Sequence, residues 1–181
     1  MVDYPTQHDD FLMWVGFCIT AWAKVEEHLF KICETCLRAR EDRVAIVYYR
    51  TPTIDSRLKL VDELIRTALP KPARKRGGHD HPDLKVWNSL RKDIEGLLST
   101  RSRIAHHPVR ARGKTEDRPF WFLDETTWLE IYVSEAERLR TGREDTSPLT
   151  KDDLVYHCGE VHDVSKRAGE IWRSVLPKHV E

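Results

Sequence analysis

From Phe11 onward, apolar side chains recur at Phe11, Val15, Cys18, Trp22, Val25, Leu29, Ile32 and Cys36, in steps that alternate between four and three. A strand would repeat every second residue, so this rhythm marks one face of a long α-helix beginning near Asp9. Such a stripe must be buried, and the segments that follow supply partners of the same kind. A shorter apolar stretch at Arg43–Tyr49 stops at Thr51-Pro52, because the residue before a proline avoids helical geometry. A third stripe, Ile54, Leu58, Val61, Ile65 and Ala68, ends at Pro70. A fourth starts at Pro82, a residue suited to a first helical turn, and carries Leu84, Trp87, Leu90 or Arg91, Ile94, Leu97 and Leu98 before Pro108. The last starts at Thr150, where Thr150 and Asp153 have the spacing of a capping box, and carries Leu154, Cys158, Val161, Ser165, Ala168, Trp172 and Val175.

Between the third and fourth helices, residues Pro70–Pro82 hold two glycines, three prolines and the basic residues Lys71, Arg74, Lys75 and Arg76, as in a basic loop. Between the fourth and fifth, an insertion over about 109–149 contains PFWFLDETTWLEIYV, whose aromatic and β-branched residues fit a short hairpin. The expected fold is all-α: an antiparallel bundle of four long helices and one short one, with a small β or irregular insertion, as a single domain over 1–181. At 181 residues the chain is long enough to bury one core without disulfides or a metal. Its 40% hydrophobic and 33% charged residues suit neither a disordered nor a membrane-embedded chain. No apolar run is long enough to cross a bilayer, and the polar, acidic start MVDYPTQHDD is unlike a signal peptide, so a cytoplasmic location is expected. Thirty basic against thirty acidic residues exclude a histone-like polyanion binder and leave only local clusters to meet a nucleic acid.

The four cysteines, Cys18, Cys33, Cys36 and Cys158, read as thiols. Cys33-x-x-Cys36 would hold zinc only if Cys158 with His157 or His162 completed a tetrahedral site, and its mid-helix position on an apolar stripe argues against that. His79-Asp80-His81 is a weaker metal cue. No metal and no cofactor is expected.

Charged residues in phase with an apolar stripe are more informative, because an isolated buried charge costs several kcal/mol. Glu26 lies four residues after Trp22 and three before Leu29; Arg101 lies four after Leu97 and three after Leu98. A Glu26–Arg101 contact would compensate both, as a structural ion pair or as part of a site, and an Arg101 reaching out to water is the other resolution. Arg101 is followed by Ser102, Arg103, His106, His107 and Pro108. A five-residue offset turns His106 about 140° from Arg101, and unwinding the last turn before Pro108 would bring the imidazole back beside the guanidinium. A fixed cation and a group that titrates near neutrality suit a phosphodiester.

Arg101-Ser102-Arg103-Ile104-Ala105-His106 resembles the R-x(4 to 6)-H signature of the HEPN superfamily. Ala21–Leu29 (AWAKVEEHL) is similar to the first helix of its bacterial members, and Arg57–Ile65 (RLKLVDELI) to their middle helix. The resemblance implies an all-α bundle that forms a homodimer with two such motifs facing each other. In active members it implies a metal-independent endoribonuclease: the RNA 2′-OH attacks the adjacent phosphate, His106 moves the proton and Arg101 stabilises the phosphorane. Ser102 stands where the family often has Asn or Asp, and His107, held by its pre-proline backbone, is the alternative proton-transfer group. It further implies a toxin, with an antitoxin or nucleotidyltransferase as partner. Arg103, Arg110, Arg112 and Lys114 are the candidate RNA contacts, and Trp121 and Trp128 in the insertion are candidate stacking or interface residues. Trp22, Trp87 and Trp172 fall on helix stripes and read as core. The alternatives of a different class are a catalytically silent helical interaction module and a nucleotide-binding partner of a nucleotidyltransferase.

Overall fold

The structure, a computed structural model, describes residues 4–69, 82–106, 109–112, 120–123 and 149–177. Its elements in chain order are α1 (Tyr4–Leu37), α2 (Glu41–Arg50), α3 (Ile54–Ala68), α4 (Pro82–His106), β1 (Val109–Arg112), β2 (Phe120–Leu123) and α5 (Lys151–Glu170), followed by a π-helical turn at Ile171–Val175. The fold is an all-α helical bundle with a two-stranded antiparallel hairpin in the insertion, where Val109 pairs with Leu123 and Arg112 with Phe120. α1 begins at Tyr4, before the Asp9 expected from the apolar rhythm.

The residues group into two compact units: Met1–Ile19 with Ser99–Cys158, and Thr20–Leu98 with Gly159–Glu181. The core of the larger unit is built from Trp22, Val25, Leu29, Ile32, Val44, Tyr48, Leu58, Val61, Ile65, Trp87, Leu90, Ile94, Val161 and Ala168, all buried. These are the inward positions of the stripes, so the 3.6-residue period chose the core. Local chemistry sets the ends. Thr51 is extended ahead of Pro52, and the Thr53 side chain accepts from the Ser56 N–H at 3.1 Å to start α3. α1 closes through Arg38, whose φ of 48° is left-handed without the glycine that usually marks such a helix end.

The smaller unit has its own core of Phe11, Cys18, Ile104, Leu123, Leu149 and Leu154. The hairpin joins it through Leu123, whose N–H donates to the Leu149 carbonyl at 3.1 Å. Thr150 and Asp153 form the capping box: the Asp153 carboxylate accepts from the Thr150 N–H at 2.8 Å, and Thr150 Oγ1 accepts from the Asp153 N–H at 3.2 Å. Lys151 pairs with Asp10 of α1.

One buried carboxylate ties α3 to α4. Asp62 accepts from Trp87 Nε1 at 2.8 Å, from Arg91 Nη1 at 2.7 Å and from Arg66 Nε at 3.0 Å, and Arg66 continues to Asn88 Oδ1 at 2.7 Å. Burial by itself would raise the carboxyl's pKa, but the Arg66 and Trp87 hydrogen bonds and the Arg66 and Arg91 charges outweigh it and hold Asp62 below its ordinary value. The ionised form is therefore bound more tightly in the folded chain, and its stabilisation is present above the unfolded carboxylate pKa and lost as the pH falls through the lower folded value. Asp62→Ala leaves Arg91 and the Trp87 N–H without their acceptor and is expected to cost about 3 kcal/mol. Asp55→Ala, which removes only an exposed pair with Lys59, should cost under about 0.5 kcal/mol. Urea unfolding of the two variants at neutral pH measures the difference, and equal midpoints would remove Asp62 from this role.

Candidate functional site

α4 stays helical through His106, so the expected unwinding of its last turn before Pro108 does not occur. Ile104 is buried in the smaller core and fixes the orientation of that turn. Arg101 and Arg103 are half-buried, whereas Ser102 and His106 are exposed. Five positions of wound helix keep His106 about 140° around the axis from Arg101, and a single copy of α4 does not turn both toward the same side. Arg110 and Arg112 follow at alternate positions of β1, opposite Phe122 and Phe120. His107 and Lys114 lie outside the described residues, as do Lys71, Arg74, Lys75, Arg76, His79, His81 and Trp128. What the described residues gather at the end of α4 is a half-buried guanidinium, an exposed hydroxyl and an exposed imidazole, with two further arginines on the strand that follows.

Glu26 belongs to the larger unit and Arg101 to the smaller. The partner that Glu26 takes within its own unit is Arg57 of α3, whose Nη1 donates to Glu26 Oε2 at 2.6 Å. The guanidinium also donates through Nε to the Thr51 carbonyl at 3.0 Å, and it lies 5.4 Å from the ring centre of Tyr48 and 5.5 Å from that of Tyr49. Tyr48 in turn donates its hydroxyl to the Glu26 backbone carbonyl at 3.1 Å. Burial, followed by the Glu26 charge, pushes the Tyr48 phenol up, so it remains a donor at any ordinary pH. This knot joins α1, the α2–α3 turn and α3, and its geometry is that of a structural ion pair with a stacked arginine. The phase of Glu26 marked it as partly inward, but Arg57 was passed over because it sits at the margin of its own stripe.

Among the described residues, which include Cys33, Cys36, His157, Cys158 and His162, no three His, Cys, Asp or Glu side chains are placed to hold a metal ion. Burial pushes the Cys33 thiol up to about 11 and that of Cys36, helped by Cys33, up to about 12. Cys18 is raised to about 12 by burial and by its neighbour Cys158, and it donates to the Leu154 carbonyl at 3.4 Å. These are protonated packing residues and poor nucleophiles. Burial also lowers the pKa of His157 to about 4, so its ring is neutral.

Two buried polar groups were not singled out from the sequence: Asp62, in phase with Leu58 and Ile65, and His28, in phase with Val25 and Ile32. Phase was the available signal for both. The chain matches no protein-family model, no curated protein and no solved structure.

Glu26→Ala is expected to lower stability by about 2 kcal/mol, because it strands the Arg57 guanidinium at a half-buried site. Glu27→Ala, losing an exposed pair with Lys24, should leave the melting temperature close to that of the parent chain. Thermal melts of the two variants side by side check it, and coincident curves would contradict it.

Proposed function

We propose that the chain is an RNA-directed helical domain of the HEPN type, a metal-independent endoribonuclease that acts as a homodimer. The observation that carries this reading is the end of α4, where Arg101 is held half-buried and His106 is left exposed on the same two turns. The first offers a fixed cation and the second an imidazole able to carry a proton at the surface. Because the wound helix separates them by about 140°, a site using both draws the missing half from a second copy. Support for that copy comes from α1, which in the same unit exposes Leu12, Met13 and Phe17, large apolar side chains on neighbouring turns. Arg103, Arg110 and Arg112 supply phosphate contacts in a chain with a formal charge of +0.

In the reaction, His106 removes the proton from a ribose 2′-OH and the oxygen attacks the adjacent phosphorus. Arg101 stabilises the charge on the phosphorane, the bond to the 5′-oxygen breaks with return of the proton, and a 2′,3′-cyclic phosphate remains. Ser102 faces solvent beside them as a hydroxyl donor, and His107 is the alternative proton carrier. The described helices hold no span long and apolar enough to cross a membrane, which fits action on RNA in the cytoplasm. A toxin role, with an antitoxin or a nucleotidyltransferase as partner, extends this reading. The Glu26–Arg57 knot favours a second one: with Glu26 tied into the scaffold, the chain would be a catalytically silent dimerisation module.

A gel assay on mixed RNA separates the two. The parent chain should cleave in the presence of EDTA and leave cyclic phosphate ends, and His106→Ala and Arg101→Ala should each lose about 100-fold or more. Light scattering should give twice the 21.3 kDa of one chain. Metal-dependent cleavage, or full activity in His106→Ala, would overturn the mechanism, and a dimer without cleavage would leave the silent module.

A further inference from the structure

A second imidazole and guanidinium converge in the larger unit, on residues that the ribonuclease reading does not use. His28 is buried on the inward face of α1, and its Nδ1 lies 3.3 Å from Ser165 Oγ of α5. With Nδ1 held by Ser165, the other edge of the ring is turned over Gly169: a Cβ placed there would lie 3.2 Å from both His28 Cε1 and Nε2. The same Cβ would lie 2.9 Å from Arg173 Nη2, so the imidazole and guanidinium nitrogens stand close to one point and hence to each other. Only glycine leaves that approach open. Arg173 belongs to the π-helical turn, whose wide geometry is fixed by the Leu176 N–H donating to the Ile171 carbonyl at 3.1 Å. Turns of this kind recur at functional sites. The guanidinium lies 5.6 Å from the ring centre of Trp172, and Trp172 is packed beside His28 at 6.3 Å. Among the described residues, neither Arg173 nor His28 Nε2 has a hydrogen-bond or ion-pair partner, and Arg173 is exposed.

We propose that His28 and Arg173, meeting over the bare backbone of Gly169, form a binding site for a phosphate-class oxyanion. Arg173 offers paired N–H donors to two oxygens, and Trp172 restricts its motion. A ring that gives its Nδ1 proton to Ser165 Oγ presents a lone pair at Nε2. Nε2 then accepts from a protonated phosphate oxygen, or takes up a proton and donates to an ionised one. The charges around the ring are Lys24 and Glu27 on α1 and Arg173 on the π-turn. Burial holds the His28 pKa low, with Lys24 and Arg173 adding to it and Ser165 and Glu27 opposing. An oxyanion against Arg173 cancels part of that positive field, so binding is coupled to proton uptake by His28. Free phosphate and the monoester of a nucleotide share this chemistry. The site stands apart from the ribonuclease reading, since it contains neither Arg101 nor His106.

The test is a titration of the full chain with inorganic phosphate, followed by NMR at the His28 Cε1–H resonance, with sodium chloride at matched ionic strength as the reference. A saturable shift in the millimolar range is expected, together with a rise in the His28 pKa at saturation. Arg173→Gln, an exposed substitution that should keep the parent melting temperature, should abolish both. Gly169→Ala should do the same by pushing a methyl group against the imidazole. Adenosine monophosphate run in parallel distinguishes the sources: saturation at lower concentration than phosphate assigns a nucleotide monoester, and equal or weaker binding assigns the free anion. A response no larger than that to chloride, or one that survives in Arg173→Gln, would overturn the proposal.

Discussion

Burying the Asp62 carboxylate costs several kcal/mol unless each lone pair meets a donor, and that requirement fixes how α3 and α4 meet in the larger unit. Trp87 Nε1, Arg91 Nη1 and Arg66 Nε reach the same two oxygens, and each has a limited range of positions from which it can do so. An apolar stripe tolerates small slides along the helix axis, because one methylene contact is much like the next. Three directional hydrogen bonds to one carboxylate do not. The hydrophobic period thus brings α3 and α4 together, and Asp62 selects one register among the packings that the period allows.

The same division between apolar attraction and polar selection runs through the rest of the larger unit. Glu26, Arg57, Tyr48 and the Thr51 carbonyl join α1 to the start of α3, where two helices and a turn leave polar backbone close to the core. His28 and Ser165 do the corresponding work between α1 and α5. These contacts leave different things behind. Glu26 with Arg57, and Asp62 with Arg66 and Arg91, set opposite charges against each other inside the bundle, which suits scaffold. The end of α4 differs in kind: its wound last turns set Arg101 and His106 about 140° apart around the axis.

The helices were legible because each carries its own period and punctuation. Ile54, Leu58, Val61 and Ile65 define an inward face without reference to any other segment, and Thr53, Thr150 and the residues before Pro52 mark ends through bonds that reach only a few positions. Of the hairpin, only the Phe120–Leu123 strand lies in the aromatic and β-branched segment that the sequence marks; its partner, Val109–Arg112, lies in the polar stretch before it and carries no such signal. The start of α1 was not legible either, since Tyr4 to His8 carry no stripe and helix propagation needs only a neighbouring turn to continue.

The candidate site divides along the same line. The sequence by itself determined that α4 ends in Arg101, Ser102, Arg103 and His106 ahead of a proline, and that Glu26 sits in phase with an apolar face, since both are facts of local order and period. Only the tertiary structure decided that Glu26 is answered by Arg57, that Asp62 gathers Arg66, Trp87 and Arg91, and that His28 meets Ser165 and Arg173 over Gly169. The physical reason is that a phase angle says which side of a helix a charge occupies and nothing about its height against a neighbour. An ion pair or a hydrogen bond is made or lost within about 1 Å of that height, and the packing of the bundle sets it.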